Sequence, residues 1–246
     1  MRLRPVLEIG GTHVTAGLVD VDSWTVIRDV RHPLDAAAPA EQLFESFAAA
    51  AALVAIGTRQ WAVAIPGPFD YERGVGRFGG IGKFGALDGV DVRAGLIRCL
   101  NADTCVFVND AEAFAVGEWH ASGRPAHRAI HVTLGTGVGS SFLEGGVGVT
   151  SWPGIPEGGR AHLLEWRGRP LEETVSRAAL REAYRARSGR DADVREICEL
   201  ARAGDVPAAT TVAEALDALG TVIGPALDAF AADEIDVGGS IAASWD

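Results

Sequence analysis

Cysteine is scarce. Cys99, Cys105 and Cys198 are the only three in 246 residues, too few and too scattered for a disulfide framework or a Cys-rich zinc site, and suited to a reducing compartment. Positive charge is also in deficit: 22 Lys and Arg against 33 Asp and Glu, a formal net charge of −11. That balance excludes a protein built mainly to grip nucleic acid or an anionic membrane. Phosphate ligands stay open, because backbone N–H groups and metal ions bind them without a basic surface. No apolar run reaches the roughly 20 residues of a membrane span; the longest, Phe47 to Gly57, is mostly alanine. Behind Arg2 and Arg4, Glu8 and Gly10-Gly11 interrupt any signal-peptide core. The expectation is a cytoplasmic globule. What is present is 48% hydrophobic residues against 22% charged, enough for a buried core, in a length between one and two domains.

Val6–Ile9, the alternating Val14, Ala16 and Leu18, and Trp24–Ile27 predict a three-stranded antiparallel meander with a glycine-rich first turn. A helix is predicted over Pro39–Ile56, a strand over Trp61–Ile65, and a long loop over Gly74–Gly89. A helix over Val92–Leu100, a strand over Thr104–Val108 and a helix over Asp110–His120 follow. The segment Ala121–Arg128, with Gly123 and Pro125, is the predicted boundary between residues 1–121 and 122–246. Beyond it come a hairpin (Ile130–Leu134, Val138–Leu143), an irregular stretch over Trp152–Gly168, and helices over Leu171–Ser188, Asp193–Gly204 and Pro207–Ala232. A last strand covers Ile235–Val237. The turn Ile9-Gly10-Gly11-Thr12 echoes Leu134-Gly135-Thr136-Gly137. Two halves that each open on such a hairpin predict a duplicated α/β fold with a cleft between the halves.

A glycine-threonine turn allows close approach. Backbone without Cβ atoms reaches a phosphate oxygen, and the threonine hydroxyl adds a donor; the plainer use of those glycines is a tight turn. Familiar nucleotide signatures fail. Gly82-Lys83 is followed by Phe84 where a Walker A motif needs Ser or Thr, Ser140 replaces the third glycine of a dinucleotide fingerprint, and Gly238-Gly239-Ser240 lacks the last glycine of a nucleophile elbow. Asn109-Asp110 stands at a strand-to-helix junction, where a carboxylate can take a proton from a substrate hydroxyl. Helix capping is the commoner task of such a pair.

In combination these motifs resemble one family. Leu7-Glu8-Ile9-Gly10-Gly11-Thr12, Pro66-Gly67-Pro68, Asn109-Asp110-Ala111, Leu134-Gly135-Thr136-Gly137-Val138-Gly139 and Val237-Gly238-Gly239-Ser240 occur in the order seen in the ROK family of repressors and sugar kinases, over about Val6 to Ile241. The resemblance implies the actin-like, ribonuclease-H-like α/β fold, two lobes around a cleft, and an ATP- and Mg²⁺-dependent sugar kinase acting on glucose or a related hexose. It implies Asp110 as catalytic base and Asn109, Glu157, His162 and Glu172 as sugar ligands. Glu8, Gly10, Gly11, Thr12, Gly135, Thr136, Gly137, Gly238 and Gly239 would bind the donor. Homodimerisation is typical of the family. No helix-turn-helix precedes the first hairpin, which points to the kinase branch.

The chain also departs from the pattern. Glu8 replaces the usual Asp, and His13, read as a solvent-facing turn residue, replaces a frequent Lys. Arg160 stands at the expected His of the Glu157 segment, with His162 two residues on. The zinc-binding cysteine cluster is absent, its region being Arg167-Gly168-Arg169-Pro170. The chain ends at Asp246, sooner after the Gly-Gly-Ser turn than family members generally do. These departures motivate two alternatives to the leading kinase reading, a catalytically weak sugar-binding or regulatory protein and a polyphosphate-dependent kinase. An actin-like ATPase with a protein partner is a third reading, in which Asn109-Asp110 has no evident task.

Overall fold

The computed structural model describes residues 1–54, 57–80, 82–123 and 126–245. Its contacts divide the chain into two compact units, Met1–Ala113 and Phe114–Asp246.

The first unit opens with the meander: β1 (Leu3–Ile9), β2 (His13–Asp20) and β3 (Thr25–Pro33). Register is fixed by pairs such as Leu7↔Ala16 and Ile9↔Val14. Strand alternation turns Leu7 and Ile9 into the core and leaves Glu8 exposed. Helix α1 (Ala40–Ala52) buries Leu43, Phe47, Ala50 and Ala51 on one face; its predicted end at Ile56 lies outside the described residues. Next come β4 (Gln60–Ile65) and two short strands, β5 (Phe69–Asp70) and β6 (Val75–Gly76). Helix α2 (Val92–Cys99) starts at Asp91, whose carboxylate caps Ala94 N–H at 2.8 Å. β7 (Thr104–Asn109) completes a sheet of order β3-β2-β1-β4-β7, with β1, β4 and β7 parallel. The stretch predicted as a long loop is anchored in the core, because Phe78, Phe84 and Leu87 are fully buried.

The helices α1 and α2 approach closely at Gly95, where an added Cβ would lie 2.2 Å from the Phe44 ring. Gly95→Val is therefore expected to destabilise the protein by about 1–3 kcal/mol through overpacking, read as a lower urea midpoint with an unchanged slope.

Helix α3 (Asp110–Ala121) begins at the end of β7 yet belongs mostly to the second unit. Phe114 fills the space that a Cβ on Gly238 would need, Trp119 does the same at Gly146, and the Trp119 indole donates to Ala126 O at 2.8 Å. These contacts put the division inside the helix, after Ala113, whereas turn composition put it after Ala121. Residues 124 and 125 of that predicted boundary lie outside the described residues.

The second sheet comprises β8 (Arg128–Leu134), β9 (Val138–Glu144), β10 (Val147–Gly148) and, after a long helical insertion, a C-terminal strand. The insertion contains β11 (Glu165–Trp166), β12 (Arg169–Pro170), α4 (Glu172–Val175), α5 (Arg177–Ser188), α6 (Val194–Arg202) and α7 (Val206–Phe230). Then β13 (Glu234–Gly238) pairs parallel with β8, and α8 (Gly239–Ala242) follows. The order β10-β9-β8-β13 repeats β3-β2-β1-β4, so the echo between the two glycine turns extends to the sheets. One predicted helix is two: Ser176 breaks it, its hydroxyl accepting from Ala179 N–H at the start of α5.

The longest helix also differs from expectation. By length and composition α7 could cross a membrane, with a mean hydropathy of 1.3. Its buried stripe (Ala208, Thr211, Ala215, Ala218, Ile223 and Phe230 among others) packs the core of its unit, and Glu214, Asp217 and Asp228 lie off that stripe.

Candidate functional site

Every strand of the two parallel sets ends on a motif singled out in the sequence. β1 leads into Gly10–Thr12, β4 into Pro66–Pro68, β7 into Asn109-Asp110, β8 into Gly135–Gly137 and β13 into Gly238–Ser240. The carboxyl ends of parallel strands are where open α/β sheets bind ligands, because the chain leaves the sheet there with free backbone donors.

In the first unit, Gly10 N–H donates to His13 O at 2.9 Å and closes the turn. His13 is held in place, its Nδ1 lying 2.9 Å from Arg31 Nη2 and 3.2 Å from Thr12 Oγ1. Burial, and next the Arg31 charge, push its pKa down, so the turn carries a neutral ring. Asn109 performs the capping task weighed above: its Oδ1 accepts from Ala111 N–H at 3.0 Å and Glu112 N–H at 3.3 Å. Its amide also donates to Tyr71 Oη at 2.8 Å, and Tyr71 in turn donates to Ile65 O. Burial pushes the Tyr71 phenol up to about 12, so it remains a donor.

Asp110 is half-buried at the first turn of α3, with Oδ1 accepting from Ala111 N–H at 2.9 Å. Burial pushes its carboxyl pKa up; the Ala111 N–H and the Lys83 charge pull it down, and Glu8 adds to the rise. A carboxylate of raised basicity beside a phosphate-type turn is equipped to take a proton from an alcohol. Tyr71 and Lys83 were not predicted. Their signal is tertiary, since each reaches the site from the loop segment between β4 and α2.

In the second unit, Gly135 N–H donates to Gly137 O, and Gly135 O accepts from Arg177 N–H at 2.9 Å. A Cβ on Gly135 would lie 3.5 Å from Ser240 Oγ, so this turn and the Gly238–Ser240 turn are neighbours. Beside them a groove of about 350 Å³ is lined by Arg177, Asp193, Val194, Arg195, Ser240 and Ser244 among others. Glu172 is drawn into the turn, its Oε2 accepting Val138 N–H at 2.8 Å. His162 lies within the electrostatic field of Glu172; burial is the larger influence and pushes its pKa down. Arg160 instead bonds back to Glu157 O, and the Glu157 side chain is 95% exposed with Arg160 3.9 Å away. Thus Glu172 bonds to the turn and its charge acts on His162, while Glu157 has Arg160 as its charged neighbour. Thr12 and Thr136 are exposed at the tips of their turns.

Ser140, which in the sequence looked like a failed glycine, is a staple. Its hydroxyl donates to Gly159 O and accepts Ala161 N–H at 2.8 Å, fixing the segment that carries His162. Ser140→Ala is expected to cost about 1–3 kcal/mol by leaving both backbone groups unpaired. Calorimetry should read this as a lower Tm.

Among the described residues, no three His, Cys, Asp or Glu side chains are grouped to hold a metal ion.

The chain matches the model of the ROK family over residues 6–162 and 166–245. It is 27% identical over 262 aligned residues to a glucokinase of Thermotoga maritima, covering 96% of this chain and 81% of that protein. Among solved structures, a ROK hexokinase from Thermus thermophilus is 25% identical with a TM-score of 0.81, over 98% of this chain and 83% of the other. A ROK family glucokinase from Streptomyces griseus, in complex with glucose and AMPPNP, superposes with a TM-score of 0.76 at 20% identity, over 99% and 85%. The fold is the actin-like, ribonuclease-H-like α/β fold of these kinases. With nearly every residue of both units inside the family match, the chain belongs to the ROK family.

Proposed function

We propose that the protein is a sugar kinase that transfers the γ-phosphoryl group of ATP to a hexose hydroxyl, with Asp110 as general base. The observation that carries this reading is Asp110 itself: a half-buried carboxyl of raised pKa, fixed at the end of β7, in a relative of a glucokinase. The hydroxyl proton passes to the Asp110 carboxylate as the sugar oxygen bonds to the γ-phosphorus. The bond from that phosphorus to the bridging oxygen breaks, and ADP leaves with the electron pair. Phosphoryl transfer demands chiefly positioning and charge neutralisation, which turn backbones supply.

The N–H groups of Gly11 and Thr12, and those of Thr136 and Gly137, take donor phosphates, the Gly10 and Gly135 N–H groups being spent in closing their turns; the nucleoside takes the groove beside Gly238–Ser240. On the sugar, Asn109 offers its remaining amide N–H, and Glu172 and His162 offer hydroxyl partners. Mg²⁺ neutralises donor charge when bound. The exposed carboxylate of Glu8 beside the first turn would hold the ion together with substrate phosphates and water. The reading carries with it a cytoplasmic location and a free hexose as acceptor.

A second reading, a sugar-binding protein of weak or no activity, draws on the outward-facing Glu157. A coupled assay of hexoses and N-acetyl-hexosamines against ATP and polyphosphate separates the two. Turnover with ATP and glucose or a near relative is expected. Calorimetric sugar binding without transfer from any donor would establish the second reading instead.

A further inference from the structure

The chain uses arginine almost exclusively: of its 22 Lys and Arg residues, only Lys83 is lysine. That single ammonium lies at the candidate site. Its Cδ is 3.8 Å from where a Cβ on Gly11 would stand, and its charge is felt at the Asp110 carboxyl. It enters no ion pair within 4.0 Å among the described residues.

The backbone that presents it is unusual. Phe84 occupies the left-handed region at φ 58, ψ 19, a costly conformation for a bulky residue. Phe84 is fully buried against Phe78, with ring centroids 5.4 Å apart, and its N–H donates to Ala36 O at 2.8 Å. The loop is thus anchored immediately after Lys83. The cation at the first turn, Arg31, is engaged with His13 Nδ1 at 2.9 Å, and burial and that charge push the His13 pKa down. A group held between that turn and Asp110 meets Glu8 and Asp110 as carboxylates and Lys83 as the one nearby cation that perturbs Asp110.

We propose that Lys83 contacts the phosphoryl group in transfer, supplying positive charge at the Gly10–Thr12 turn from a side chain that no ion pair holds among the described residues. Lysine suits this task better than arginine, since its compact ammonium and three rotatable donors can follow a phosphoryl group as it changes partners. The inference rests on the kinase reading and deepens it.

With one lysine in the chain, reductive ¹³C-methylation labels Lys83 and the α-amine alone, and leaves both charged. On addition of a non-hydrolysable ATP analogue with sugar present, the Lys83 resonance is expected to shift and the α-amine resonance to stay. Lys83→Met is expected to lower kcat about 10²-fold, the scale for losing a charged transition-state partner, with sugar affinity unchanged. Its acid limb should move to higher pH, because the charge that steadies the Asp110 carboxylate is gone. Lys83→Arg should recover part of the rate. An unshifted Lys83 resonance, or a Met variant that turns over like the parent, overturns the proposal while leaving the kinase reading intact. If the parent transfers nothing, the kinase reading fails, and tripolyphosphate then decides on Lys83: a shift supports phosphate contact, no shift refutes it.

Discussion

Asp110→Asn is expected to lose ~10²–10⁴-fold in kcat, the usual contribution of a positioned base, while sugar binding by calorimetry stays near that of the parent. The same substitution should make the protein more stable at neutral pH. The carboxyl pKa is raised in the folded state, mainly by burial. A raised pKa means that the group's favourable contribution is present below the unfolded carboxyl value and lost as pH rises through the folded one. At neutral pH the parent therefore holds a charge its surroundings disfavour, and the amide variant does not. The gain in Tm should shrink as pH falls below the ordinary carboxylate range. For the parent, the acid limb of kcat/KM should lie above that range. An Asn variant with parental turnover would remove Asp110 from the chemistry. A less stable variant at neutral pH would contradict the assigned cause of the shift.

Gly239→Ala should be the most disruptive single methyl near the donor turns. Gly239 has φ +94, and its added Cβ would stand 2.3 Å from Leu134 O and 2.9 Å from Leu134 N. Both obstacles are backbone, at the end of the strand that leads into Gly135, so no side chain can swing aside. Conformational strain of about 1–3 kcal/mol adds to the clash, and a Tm loss of at least about 6 °C is expected if the total reaches about 3 kcal/mol. Gly145→Ala is the matched control: φ is +58 there, but nothing lies within 4 Å, so only the conformational cost applies. Nucleotide affinity should fall in the Gly239 variant and hold in the Gly145 one. Equal effects at both sites would mean that strain alone, and no fit between the two turns, governs this region.

Much of the fold was legible because its signals are local. The alternation of Val14, Ala16 and Leu18 marked β2, where all three are buried, and the glycine turns punctuated strands where the structure ends them. The break at Ser176 was hidden inside a continuous helical pattern, since a capping serine looks like any other polar residue until its hydroxyl is seen on Ala179 N–H. Of the site, the strand-end residues could be picked out from sequence neighbours. Tyr71, Lys83 and Ser140 could not, because what defines them is a distant partner, Asn109 for Tyr71, 38 residues on, and Gly159 for Ser140, 19 residues on, or, for Lys83, an approach to Gly11 from an unrelated loop. Hydropathy and length do not tell α7 from a membrane helix of the same length; its buried stripe against the core of its unit is visible only in the fold.

The parallel pairing of β8 with β13 has a kinetic corollary. Arg128 N–H reaches Asp233 Oδ2 across 105 residues of chain, with the whole helical insertion threaded between the two strands. Closing a loop of that size is entropically slow, and contacts so distant along the chain form late. On the ribosome, β8 must wait for β13, 105 residues separating that pair of contacts, so the Gly135–Gly137 and Gly238–Ser240 turns are expected to acquire order after the turns of the first sheet.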